Sequence, residues 1–86
     1  MWYVYVIQST KSDYWYTGFT RDLRKRFDQH QKGLKGWTKK RGPYTLIYYE
    51  ACTHEDDAKA RESFLKSGMG KRYLKNRLKR FLSLTG

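Results

Sequence analysis

The sequence predicts an α+β fold, one small domain over residues 1–86. A three-stranded antiparallel β-sheet is flanked by three helices in the order β-β-α-β-α-α. Three observations predict it. Two aromatic-rich runs, Trp2 to Gln8 and Tyr14 to Thr20, flank the polar link Ser9-Thr10-Lys11-Ser12-Asp13, which is the pattern of a β-hairpin. Leu23, Phe27, His30 and Leu34 then recur at helical spacing. Pro43 opens a third strand, Tyr44 to Ala51, at a position where proline is tolerated.

The first strand is apolar or aromatic at every position from Trp2 to Ile7. A strand with one wet face alternates, so this one is predicted to be central and covered on both faces. Tyr5 and Tyr16 fall on the two arms of the hairpin. A buried phenol needs a hydrogen-bond partner. The pair either packs within a sheet or faces a ligand. Gly18 permits a bulge or a close backbone approach.

Thr20 is the predicted N-cap of the first helix, with Asp22 at the positive end of its dipole. Gly33 is its stop, after about Lys32. Arg26 and His30, four apart, share a face beside the apolar stripe, while Arg24, Lys25 and Lys32 face solvent. Thr53-His54-Glu55-Asp56 resembles a capping box and starts a second helix that runs to about Lys66. Its apolar arc is Ala58, Ala60, Phe64, Leu65 and the stem of Arg61. Glu62 lies at the edge of that arc. It either pairs with Arg61 or Lys66 or holds a cation facing the hairpin. A third helix, about Lys71 to Leu82, has an apolar face of Leu74, Leu78, Phe81 and Leu82.

Nineteen Lys and Arg against eight Asp and Glu give a net charge of +11, which predicts an anionic partner. Nucleic acid comes first and an anionic membrane surface second. No apolar run approaches the ~20 residues of a membrane span, and the N-terminus lacks the marks of a signal peptide. Cys52 is the single cysteine, which excludes an internal disulfide and a Cys-based zinc site and favours the cytoplasm. Residues 66–80 hold seven basic residues and no acid, an electrostatic footprint for a phosphate backbone. The loop Gly36 to Arg41 interleaves Trp37 with Lys39, Lys40 and Arg41. It either stacks a base and neutralises phosphates or folds its tryptophan back onto the domain. The candidate nucleic-acid contacts are Lys25, Trp37, Lys39, Lys40, Arg41, Lys66, Lys71, Arg72 and Lys75.

Tyr3-Val4-Tyr5 followed by Tyr16-Thr17-Gly18 resembles the paired motifs of the GIY-YIG nuclease superfamily. The chain looks most like its small stand-alone bacterial members, and residues 66–72 share in that likeness. One departure is Tyr3, where the name-giving pattern has Gly. The resemblance implies a metal-dependent endonuclease. In that reading Tyr5 activates water, with Tyr16 and His30 beside it. Arg26 steadies the phosphate, and Glu62 holds a divalent cation, Mg²⁺ or else Mn²⁺. DNA is the implied substrate, with RNA as the alternative, and the chain is a monomer or weak dimer. Many members also use an Asn in the last helix, but Asn76 points away from Leu74 and Leu78. Tyr5, Tyr16, Arg26, His30 and Glu62 are expected on one side of the sheet. The alternative to an enzyme is a nucleic-acid-binding module on the same scaffold, without useful activity.

Overall fold

The structure, a computed structural model, describes residues 1–33 and 41–85. Leu34, Trp37, Lys39 and Lys40 lie outside the described residues. Strands β1 (Trp2–Ser9), β2 (Trp15–Thr20) and β3 (Tyr44–Cys52) form one antiparallel sheet in the order β2-β1-β3. The helices are α1 (Leu23–Gln31), α2 (Glu55–Lys66), α3 (Gly68–Arg77) and α4 (Lys79–Thr85).

The central strand is β1, and Val4, Tyr5, Val6 and Ile7 are all fully buried, as the uninterrupted apolar run predicts. Alternation along the strand divides these side chains between two faces. Val4 and Val6 pack with Ala58, Leu65 and Leu74, so α2 and α3 cover one face. Tyr5 and Ile7 pack with Tyr44, Leu23 and Phe27, so α1 covers the other.

The hairpin turn is built around Ser9, whose side chain is buried. Its Oγ accepts from the N–H groups of Lys11 and Ser12 and donates to the carbonyl of Arg41. Asp13 closes the turn at φ 60, a left-handed conformation that Asp adopts more readily than most residues. The sheet's irregularity falls between Val6 and Ile7 in the β1–β3 ladder, and not at Gly18.

Helix starts differ from expectation. The N-cap of α1 is Asp22, whose Oδ1 accepts from Lys25 N at 3.0 Å. Thr20 instead ends β2, and its Oγ1 accepts from Asp22 N. The N-cap of α2 is His54, whose Nδ1 accepts from Asp56 N, in place of Thr53. Ala60 is exposed and outside the apolar arc. Arg61 crosses to β3, where its Nε donates to the Glu50 carboxylate at 2.9 Å. Its guanidinium also lies over the Phe64 and Tyr73 rings.

The helical C-terminus begins earlier than expected, because Ser67 caps it. Ser67 Oγ accepts from Gly70 N, and its own N–H closes α2 on the Phe64 carbonyl. At Leu78 the backbone leaves helical geometry (φ -106, ψ 20), which divides the segment into α3 and α4.

Candidate active site

Tyr5 and Gly18 are directly paired across β1 and β2, so both face α1. The Tyr5 ring runs across Gly18. A Cβ at that position would meet the Tyr5 hydroxyl at 2.6 Å and the Tyr16 ring at 3.2 Å. The close approach that Gly18 permits is therefore made by the chain's own phenol. Tyr16, two residues before Gly18, projects on the same face.

His30, at the end of α1, is buried against both phenols. The Tyr5 hydroxyl and His30 Nε2 are hydrogen-bonded at 2.7 Å. The His30 and Tyr16 ring centroids are 5.0 Å apart, and those of Tyr5 and Tyr16 are 6.4 Å apart. One face of the sheet thus holds a Tyr5–His30–Tyr16 cluster.

Burial pushes the Tyr5 phenol far above its ordinary pKa, Tyr16 adds to the rise, and the Arg26 guanidinium pulls the other way. Burial, then the Glu62 carboxylate, raises Tyr16, and Arg26 again opposes. The cation of Arg26 and the anion of Glu62 therefore both act on the phenol pair. Glu62 does so from a helix on the other face of the sheet from α1. The expectation of five residues on one side is corrected to a convergence from both faces. The reason is the position of β2. It is an edge strand, so helices on either face have access to it.

Glu62 also pairs with Lys66 one turn on, at 3.7 Å, while Arg61 is taken by Glu50. The Glu62 side chain is only 20% exposed, against 55% for Lys66. Among the described residues no group of three or more His, Cys, Asp and Glu could hold a metal ion. A site of one carboxylate fits a hard cation that keeps several waters, which is the habit of Mg²⁺. It does not fit the four-ligand cage of a structural zinc.

Tyr5 is fully buried, whereas Tyr16 is partly exposed. Tyr16 lines a depression of about 250 Å³ with Trp15, Thr17, Leu65, Lys66 and Lys71. Arg26 lines another, of about 510 Å³, with Lys25, Arg21 and Phe19 among its walls. Arg41, Lys66, Lys71, Arg72 and Lys75 are all exposed, and so is Asn76. Two features escaped the sequence reading. Trp15 and Tyr14 border the same side of the molecule as Lys71. Strand alternation already puts Trp15 opposite in facing to Tyr16. The pairing of Tyr5 with His30 had a weaker signal, a buried phenol without a named partner.

A three-stranded antiparallel sheet carrying a paired-tyrosine hairpin, with α1 on one face and α2 and α3 on the other, is the scaffold of the chain. The chain belongs to the GIY-YIG family: residues 1–79 match the model of the GIY-YIG catalytic domain. It is similar to a UPF0213 protein of Clostridium perfringens, 37% identical over 65 residues, which cover 74% of this chain and 69% of that one. A UPF0213 protein of Desulfotalea psychrophila is 34% identical over 67 residues, 76% of this chain and 60% of that one. The solution NMR structure of UPF0213 protein BH0048 from Bacillus halodurans superposes with a TM-score of 0.52 and 32% identity. That match covers 86% of this chain and 82% of that one. No described helix is long and apolar enough to cross a membrane.

Proposed function

We propose that the protein is a divalent-cation-dependent endonuclease that hydrolyses phosphodiester bonds in DNA. The observation that carries this reading is the Tyr5–His30–Tyr16 cluster on the paired-motif hairpin, in a chain of the GIY-YIG family.

In this reading each residue has a part. Tyr5, buried and held neutral, is hydrogen-bonded to His30 Nε2 and so fixes the imidazole against Tyr16. Tyr5 is then a positioning residue. Tyr16 is the phenol that opens to solvent. It first loses its own proton to solvent, and the phenolate oxygen then takes the proton of the attacking water. The water-activating role expected of Tyr5 thus moves to Tyr16, because a fully buried hydroxyl does not meet solvent water. Arg26 steadies the phosphate, where preorganised positive charge is worth most. Glu62 would hold Mg²⁺ or Mn²⁺, which supplies positive charge to the leaving oxygen when bound. Lys25, Arg41, Lys66, Lys71, Arg72 and Lys75 neutralise backbone phosphates, together with the loop residues Trp37, Lys39 and Lys40. The single cysteine, Cys52, accords with a cytoplasmic place of action.

A second reading, binding without cleavage, draws on the same raised phenol pKa values, since a protonated tyrosine is a poor base. An assay of cleavage with and without Mg²⁺ decides between them. The substrates are single-stranded, duplex, flap and branched DNA, and RNA. Cation-dependent products on any DNA substrate support the enzyme. Binding with no product on all of them supports the module.

A further inference from the structure

The depression that opens at Tyr16 continues into a second one, of about 410 Å³, lined by Asp13, Tyr14, Trp15, Lys71, Lys75 and Leu82. Trp15 and Lys71 line both, so the two depressions adjoin at these residues, and we read them as one groove. It runs from Tyr16 to the hairpin turn between the edge strand β2 and helix α3. One side carries aromatic rings, Trp15 packed against the core and partly exposed, and Tyr14 62% exposed. The other carries Lys66, Lys71 and Lys75, all exposed. Asp13, the groove's acid, accepts a hydrogen bond from Gln8.

We propose that this groove holds an unpaired polynucleotide strand leading to Tyr16, with Tyr14 and Trp15 as stacking platforms and the three lysines on its phosphates. The inference deepens the nuclease reading and rests on its nucleic-acid part. Chemistry selects the occupant. Exposed aromatic rings gain from bases only where the base faces are free, as they are in a single strand. A duplex buries those faces in its own stack and offers phosphates and groove edges, which lysines alone would meet. An acidic peptide would use the lysines and gain little from the exposed ring faces. The protein would therefore prefer a substrate with an unpaired segment beside the bond to be cut.

The test is fluorescence anisotropy of the full chain with labelled oligo-dT, oligo-rU and a blunt DNA duplex, in chelator and at one salt concentration. Binding is thus read without cleavage. Tyr14→Ala should weaken binding of the unpaired strands about tenfold, in line with the loss of one stacking platform, and leave duplex binding within about twofold. Tyr14→Phe should restore it, because the ring and not the hydroxyl stacks. Loss on oligo-dT alone or oligo-rU alone supports the groove and names its sugar. Equal loss on the duplex, or no loss on either unpaired strand, overturns the proposal. The predicted binding pattern without Mg²⁺-dependent cleavage would remove the nuclease chemistry and leave the groove standing.

Discussion

Tyr5 and Tyr16 share one motif type and one face of the sheet but differ in access to water. Tyr5 is sealed between Gly18 and His30, and Tyr16 opens to the groove. Both phenols are held above their ordinary pKa, by burial first. The sign follows directly. At neutral pH each carries its proton, and the fraction of phenolate rises about tenfold for every unit of pH below the pKa. If Tyr16 is the base, cleavage at saturating Mg²⁺ should climb steadily from about pH 7 to pH 9 with no plateau. A steady-state rate profile measures this, and Tyr16→Phe should abolish the climb along with most of the activity. A plateau below pH 8 in the native chain would contradict Tyr16 as the base.

Among the elements, β1 was the most legible. Its unbroken apolar run required two covered faces, and α1 and the α2–α3 pair supply them. The hairpin, the third strand and the helix periods were legible for the same reason, since each is a local pattern. Caps were less so. Thr20, Asp22, Thr53 and His54 all carry acceptors, and only the path of the backbone selects Asp22 and His54. The five candidate site residues could be named from their motifs, but the face from which each arrives could not. Which side of a sheet a helix crosses is a matter of connection, and nothing in the phase of Glu62 contains it. The α2–α3 corner shows how tightly that connection is built. Gly70 is buried against α2, and a Cβ there would run into the Phe64 carbonyl and Leu65 Cα. These atoms are backbone and have no rotamer to yield. Gly70→Ala should therefore destabilise the fold by about 2 kcal/mol, as overpacking does. In a domain of this size that lowers the melting temperature by roughly 10 °C. A thermal melt within 2–3 °C of the native one, allowing about 5 °C per kcal/mol, would show that the two helices can part.

For the whole molecule, the decisive property is charge. A net charge of +11 on 86 residues is a long-range attraction for any polyanion, and the exposed Lys71 and Lys75 of α3 lie along the groove at the sheet edge. Binding through phosphates releases counterions, so affinity for DNA should fall steeply with salt. Arg72→Glu with Lys75→Glu should weaken binding and flatten the slope of log affinity against log salt by about two. Titrations at low and physiological salt measure it. An affinity indifferent to salt would mean that apolar contacts dominate. This charge explains binding but not cleavage, because lysines attract DNA whether or not the phenols are active.

Glu62→Gln separates the two most directly. It keeps the size and helix propensity of the side chain but removes the charge that would hold the cation. Its pair with the half-exposed Lys66 is an i,i+4 surface contact, worth about 0.5 kcal/mol at most. Melting temperature should therefore hardly change, and DNA binding should persist or strengthen with one negative charge gone. Mg²⁺-dependent nicking, measured on the same preparation, should fall by about two orders of magnitude or more, since a metal contributes several kcal/mol to the transition state. Full nicking activity in Glu62→Gln, with fold and binding intact, would contradict the assignment of Glu62 as the residue that holds the metal.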